Sequence, residues 1–485
     1  MKRLCRAAAL VLAAALLAAL LGGCGIIIIH RGDPPETTGG TETSPLPPET
    51  SGDGPVTPQH REIKDYTADA AAFLASVGTA DYDGKGVIIA STKASLCSGD
   101  DCRYQTVSAA LRERNAAVSR ALDISLLFVG ADETELADKL READGAGLYY
   151  ADLLMLPGAA VAPLANEGLL LNVRSLPFVD TEKEYFNASS VDAFTAGKNV
   201  WAIAGMASLD ADLLPTLYFN RQPFDEAGLD MPYTAVYEST FTWDTFYATF
   251  ASLRASDDGL VISADTEGGA DAFFAAAGGR FVTRSGENVP TFAVSEADAA
   301  RIAAVSRLFD LPRYVGGGEE DAFFGDDRIA FYFGTVGSGV GRGTSVTRWG
   351  LLPLPALSES DAAHPYRSLL PSSAYVFASP KLISGATLTG RLVSALNAAS
   401  YGVLLTADAA GRSDADFRDL DSAYTFVEIG FGAVYDFTAG LGANDEMLPI
   451  LARGLVRRAV AGEDLRALLD EQKSAIDALL ASVVP

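Results

Sequence analysis

The run Ile124-Ser125-Leu126-Leu127-Phe128-Val129 is short, apolar and flanked by helical patterns, and those flanks decide the fold class. Upstream, Val107, Leu111, Val118 and Leu122 recur at helical spacing. Further upstream, Val87-Ile88-Ile89-Ala90 follows the turn-rich Tyr82-Asp83-Gly84-Lys85-Gly86 and reads as a buried strand. Downstream, Leu136 and Leu140 mark a charged amphipathic helix, and Leu148 to Leu156 reads as a third strand. Strand, helix, strand, helix, strand requires each helix to cross back over the sheet. The expectation is therefore a parallel α/β sheet.

Further strands are expected at Val200 to Ile203, Thr216 to Asn220, Leu260 to Ser263, Ile329 to Phe333 and Tyr375 to Ala378. Leu465, Leu468, Leu469, Ile476, Leu479 and Leu480 lie on one face of a closing helix entered through Gly462-Glu463-Asp464. The chain has 485 residues, 49% of them hydrophobic. A body of this size exceeds one core, so two lobes are expected. No internal repeat is evident.

The N-terminus has a different character. Met1-Lys2-Arg3 precedes an Ala- and Leu-rich run to Leu21, the layout of an export signal. Leu21-Gly22-Gly23-Cys24 resembles the bacterial lipobox, in which the signal is cut before a cysteine that becomes acylated. This gives a signal peptide over 1–23 and a lipidated Cys24. A plain transmembrane anchor or an ordinary signal cut elsewhere are the alternatives, since about 20 apolar residues span a bilayer. Residues Ile26 to Ile29 would lie against the membrane surface and add to the lipid anchor. From Arg31 to His60 the chain is rich in Pro, Thr, Glu and Gly and nearly free of large apolar side chains. Such a segment buries too little to offset chain entropy, so 24–60 reads as a disordered tether reaching ~30 Å on average.

Charge and composition exclude several functions. The formal net charge is -26, with a pI near 4.4, which repels nucleic acid and anionic membrane surfaces. Three histidines exist, and His30 and His60 sit in the tether, leaving His364 in the body. His364 lies in Ser360-Asp361-Ala362-Ala363-His364-Pro365 and reads as a solvated loop residue. No G-x-S-x-G elbow and no H-E-x-x-H is present, so neither a hydrolase triad nor a zinc protease is indicated. Gly337-Ser338-Gly339-Val340-Gly341-Arg342-Gly343 follows a strand but lacks the third glycine of a dinucleotide loop and a helix after it, so it reads as a flexible hairpin. Asp81-Tyr82-Asp83-Gly84 lacks the later ligands of a calcium loop and reads as a turn. No catalytic residue, metal or cofactor is expected. Cys5 leaves with the signal, and Cys97 and Cys102 form an even pair. Export favours a disulfide between them, with two free thiols as the alternative.

Thr216-Leu217-Tyr218-Phe219-Asn220-Arg221-Gln222-Pro223-Phe224-Asp225-Glu226-Ala227-Gly228-Leu229-Asp230-Met231-Pro232-Tyr233 is the most specific segment, and Phe241-Thr242-Trp243-Asp244 follows it. Thr242 suits a helix N-cap, Asp244 the positive helix end, and Trp243 a packing anchor. This pattern resembles the bacterial extracellular solute-binding lipoproteins of the sugar-binding type. In them a Tyr-x-Asn-Lys strand end precedes Glu-x-Gly-Leu-x-x-Pro and then Thr-Trp-Asp. Arg221 stands where lysine is usual, which conserves charge. Arg114-Asn115-Ala116-Ala117-Val118, Gly168 to Val173, Trp349 to Pro355 and Phe417 to Ser422 are similar, in order, to segments of a clostridial-type branch.

The resemblance implies a periplasmic-binding-protein-like α/β fold: two α/β lobes, a hinge crossed more than once, and an interlobe cleft. The solute-binding domain would span 61–485. Lobe one would hold about 81–197 and 364–424, and lobe two about 198–363 and 425–485. Ligands of open α/β sheets sit at the C-terminal strand ends. Sugar sites want aromatic platforms and fixed polar groups. Thr92, Lys93, Tyr150, Asp152, Trp201, Arg342, Trp349 and Tyr375 are the expected cleft residues. The implied function is capture of a small solute, expected to be a carbohydrate, for an ABC permease at the outer face of the cell membrane. A ligand sensor, a secreted carbohydrate-active enzyme and an adhesin are the rival readings.

Overall fold

The computed structural model describes residues 61–264, 269–285, 288–315, 318–325, 328–342, 348–444 and 447–483. The signal peptide, Cys24, the tether and Gly343 lie outside the described residues.

The body begins with α1 (Thr67–Val77), β1 (Lys85–Ser91), α2 (Gln105–Leu122), β2 (Ile124–Gly130), α3 (Glu133–Ala146) and β3 (Leu153–Pro157). β1 pairs in parallel with both β2 and β3, with Val87 opposite Leu126 and Ile89 opposite Leu153. Both crossovers are short because their ends are shaped locally. Asp123 takes a left-handed φ of 48° to turn α2 straight into β2. Asp132 caps α3 by accepting the Glu135 N–H at 2.8 Å. β1 and β3 are largely buried on both faces, whereas the edge strand β2 leaves Leu127 exposed. Val87, Ile89, Leu153 and Met155 pack with Val118 and Leu122 of α2, while Ala90, Leu154 and Leu156 pack with Leu136 and Leu140 of α3.

The chain continues through β4 (Ala202–Ile203), β5 (Pro215–Asn220), α4 (Trp243–Ser256), β6 (Val261–Ala264), β7 (Ile329–Thr335) and β8 (Trp349–Leu352), and then β9 (Tyr375–Ala378). The first sheet has the order β2-β1-β3-β9-β4, and β9 runs antiparallel to both neighbours. The second has the order β8-β5-β7-β6, in which only β7 and β6 are parallel. Both sheets are thus mixed, where sequence pattern alone suggests a parallel one. The three strands linked by helical crossovers are parallel. β9, arriving from the second lobe, enters beside β3 in the opposite sense.

Pairing also moves the lobe limits. β4 hydrogen-bonds to β9, so the first sheet extends to Ile203 and the crossing begins after it. After β9, α5 (Ala386–Ser400) packs on α1 and α2, and α6 (Val403–Ala415) packs on α2. α7 (Leu420–Phe431) packs both on α6 and on β8 of the second sheet, so contact with the second lobe already begins before Tyr424. Two crossings run side by side, with Ser368–Leu369 pairing with Ala433–Val434 in parallel. The chain ends in α8 (Met447–Val460) and α9 (Leu465–Val483), which pack on each other. Asp464 caps α9 by accepting the Ala467 N–H.

The segments that carried the resemblance meet in one packed region. Asp419 caps α7, accepts from Tyr233 Oη at 3.0 Å and pairs with Arg221. Ser422 Oγ accepts the Leu351 N–H at 3.1 Å. A Cβ on Gly350 would lie 2.2 Å from Tyr233 Oη, so only glycine fits there. Thr242 caps α4, its Oγ1 accepting the Thr245 N–H at 3.2 Å, a contact worth ~1 kcal/mol. Trp243 is buried among Phe246, Tyr247, Phe273 and Phe333, as a structural anchor should be.

The glycine-rich stretch is no hairpin. β7 and β8 lie on opposite sides of β5, so the segment between them crosses over that strand. Val336–Gly339 forms a 3-10 turn closed by a Thr335/Ser338 capping box. Gly339 packs so near Tyr218 Oη that a Cβ would approach it to 2.8 Å.

Candidate functional site

Three expected site residues gather at one end of the first sheet. β1 ends at Ser91 and β3 at Pro157, where Tyr375 opens β9 directly opposite. The Thr92 N–H donates to Met155 O at 3.2 Å, and the Lys93 N–H to Ser91 Oγ at 3.0 Å, which fixes both residues at the strand mouth. Lys93 Nζ pairs with the buried Asp210 on the first crossing. The same ammonium lies 5.8 Å from the centre of the Tyr375 ring. Burial pushes the Tyr375 phenol up from its ordinary value, against the opposing effect of Lys93. Tyr435 Oη donates to Tyr375 O at 3.0 Å, tying the last crossing to the mouth. Thr92 also lines a hollow of about 340 Å³ with Glu133, Thr134, Arg141 and Ala159.

The other five stand elsewhere. Asp152 is fully buried, and its two oxygens accept the N–H groups of Ile88 and Ser384, each at 3.0 Å. It joins β1 to the loop before α5 and has no face free for a ligand. Tyr150 precedes β3, which is shorter than its apolar run suggests. It packs near Leu140, Leu148 and Lys381, at the opposite end of the strand from the mouth. Trp201 belongs to the first lobe, because β4 follows it at once. It is half-buried, and its N–H donates to Phe194 O at 2.9 Å. Arg342 is committed to Glu320 at 2.9 Å and Asp321 at 2.6 Å, with its guanidinium over Phe324. Trp349 is wholly buried between Tyr218, Phe324 and Phe417.

The cysteine pair is also corrected: both thiols are free. The helical turn Ser95–Ser98 directs Cys97 into the core, 3.4 Å from Met155 Sδ, where burial pushes its thiol up to about 11. The chain then reverses at the left-handed Gly99, and Cys102 Sγ donates to Ser95 O at 3.4 Å.

Two further hollows adjoin the crossings. One, of about 450 Å³, is lined by Glu184, Asn187, Met206, Tyr401 and Phe431. The other, of about 280 Å³, is lined by Asp192, Phe281, Arg284, Asp436 and Phe437. They share Ser189, Arg280, Arg367, Val434 and Tyr435. His364 stands at the first of them. It lies in a loop and is partly exposed, as expected, but it also lies 3.0 Å from Glu428 Oε2 and stacks on Phe431 at 4.5 Å. Sequence reading missed Asp210, Arg280, Arg367 and Tyr435. Nothing local marks them, since segments distant in sequence bring them together at the crossings.

No family model and no curated protein sequence matches the chain. Solved structures do. The sugar-binding protein MalE from the phytopathogen Xanthomonas citri is 14% identical, with 82% of this chain and 98% of that one covered and a TM-score of 0.51. The cyclic alpha-maltosyl-1,6-maltose binding protein from Arthrobacter globiformis is 16% identical over 82% and 99%, with a TM-score of 0.54. A family 1 extracellular solute-binding protein from Bifidobacterium longum subsp. infantis is 13% identical over 82% and 100%, with a TM-score of 0.50. At these identities the likeness is one of fold: the chain has the two-lobed α/β architecture of extracellular solute-binding proteins.

Proposed function

We propose that this chain is an extracytoplasmic solute-binding protein that captures a small carbohydrate and delivers it to an ABC importer. The observation that carries the reading is the architecture. Two α/β lobes joined by several crossings, with hollows at the strand mouth and beside the crossings, suit a site that closes around a small molecule. Thr92, Lys93 and Tyr375, with Asp210 and Tyr435, are the proposed contacts at the mouth. Lys93 and Asp210 offer fixed hydrogen-bonding groups, and Tyr375 an aromatic face, which is the chemistry a sugar ring recruits. The sugar-binding neighbours support this reading. The protein is not an enzyme in it, and His364 is held by Glu428 and Phe431 rather than poised for proton transfer. Residues 1–23 act as the signal, Cys24 carries the lipid, and the tether leaves residues 61–485 free to meet the permease.

Thermal melts of the full-length protein against a panel of mono- and oligosaccharides test it. A bound sugar at a hundred times its Kd adds ~2.7 kcal/mol of stability, a readily measured shift. Lys93→Met is expected to remove that shift. A panel with no shift for any sugar, at concentrations up to several millimolar, would count against solute capture.

A further inference from the structure

The groove beside the crossings carries unspent positive charge in a strongly acidic chain. Arg280 and Arg367 line both of its hollows, and Arg284 lines one. Arg284 is already engaged: its guanidinium donates to Asp192 O and Asn288 O and lies over Phe437. Arg280 and Arg367 are not so engaged. Among the described residues, no carboxylate or carbonyl lies within hydrogen-bonding distance of either guanidinium. Two acids border the groove. The Asp436 carboxylate is taken by the N–H groups of Phe281 and Thr438 and by the Thr438 hydroxyl, at 3.2, 3.0 and 2.8 Å. Asp192 is exposed at the rim.

Several other arginines of the chain are held by carboxylates. Arg412 holds two aspartates, Arg458 two glutamates and Arg342 both Glu320 and Asp321. With 63 acidic side chains against 37 basic ones, acceptors are abundant. Arg280 and Arg367 instead line one groove together, with no carboxylate at salt-bridge distance among the described residues. The placement of Arg367 costs free energy: burial lowers its pKa, the charge of Arg280 adds to that effect, and Asp436 offsets only part of it. A bound anion would relieve it. The planar guanidinium matches carboxylate and phosphate oxygens in bidentate geometry. Met206, Leu209, Tyr401 and Phe431 line the larger hollow with apolar surface, which an inorganic ion would leave uncovered.

We propose that this groove binds an organic anion, a sugar bearing a carboxylate or phosphate, through Arg280 and Arg367. This rests on the solute-binding reading and narrows it to acidic carbohydrates. Both segments that carry the arginines lead into crossings or the second lobe, so the anion would bridge them.

The test is titration calorimetry on the full-length chain with glucose, glucose 6-phosphate, galacturonate and inorganic phosphate. Glucose 6-phosphate or galacturonate is expected to bind at least tenfold more tightly than glucose and than inorganic phosphate. Arg280→Gln and Arg367→Gln should each weaken that binding at least tenfold, and added salt should weaken it in the parent. Arg280 is exposed, so its variant folds even if that of Arg367 does not. Unchanged binding in Arg280→Gln, or glucose binding as tightly as its phosphate, overturns the assignment while leaving solute capture intact. Inorganic phosphate binding as tightly as glucose 6-phosphate overturns the sugar part of it. No binding by any of the sugars, neutral or acidic, overturns both readings.

Discussion

Arg412→Met is expected to lower stability by about 3–5 kcal/mol, because it strips the counter-charge from a buried network. The Arg412 side chain is 4% exposed, with Asp212 at 2.6 Å and Asp408 at 3.0 Å. Its guanidinium also lies over the rings of Tyr104 and Phe426. Asp212 further binds Arg103 at 3.0 Å. The network joins α6 to the first crossing and to the loop before α2, so its loss reaches three segments. Burial opposes the charge on Arg412, yet Asp408 and Asp212 outweigh burial and keep it protonated. Burial raises the pKa of Asp408 even with Arg412 present. Without Arg412 that carboxyl rises further and takes up a proton in the folded state that the unfolded state lacks. Stability of the variant then falls as pH rises from the ordinary carboxylate range toward the raised value. The deficit should be larger at pH 7 than at pH 5. Urea unfolding at the two pH values measures both effects. A loss below about 1 kcal/mol, independent of pH, would mean the network behaves like a solvated surface pair.

Trp349→Ala carries a similar expected loss, about 3–5 kcal/mol, through a cavity rather than a charge. The ring has no exposed surface and sits 5.2 Å from Tyr218, 5.9 Å from Phe324 and 6.2 Å from Phe417, all edge-on. Its indole Nε1 has no hydrogen-bond partner among the described residues. Trp349→Phe therefore loses ring volume but no hydrogen bond, and should cost clearly less than Trp349→Ala. Any ligand that binds the parent should bind Trp349→Phe with the same Kd, because the residue faces the sheet interior and not a groove. A tenfold weaker Kd in Trp349→Phe, with the melting curve unchanged, would return Trp349 to the binding surface.

Both residues show how far the sequence reaches. Helical and strand periodicities placed β1, β2, α2, α3, β5, β7 and β9 within a few residues, because apolar spacing reports burial directly. The cap at Thr242 and the anchor at Trp243 were legible for the same reason: a cap needs only its own three following residues. The two-lobed architecture followed from length and from motifs whose order matched a known pattern. Those motifs proved to be structural. Arg221, Tyr233, Gly350, Asp419 and Ser422 hold one another, so they announce the fold and not the ligand.

The site was far less legible. Thr92, Lys93 and Tyr375 could be placed because each follows or opens a strand whose end the pattern marks. Asp152 and Trp349 were misplaced because alternation along a strand says which residues share a face, not what covers that face. An aspartate facing solvent and one receiving two backbone N–H groups have the same sequence signature. The disulfide failed likewise: proximity in sequence leaves open which way a helical turn aims a thiol. Arg280 and Arg367 lie far apart in the chain and meet through the crossings. Apolar periodicity and local caps are short-range properties, and the sequence by itself determined the elements and the architecture they imply. Which polar groups are spent inside the protein and which remain for a ligand depends on long-range neighbours, and the tertiary structure alone decided that.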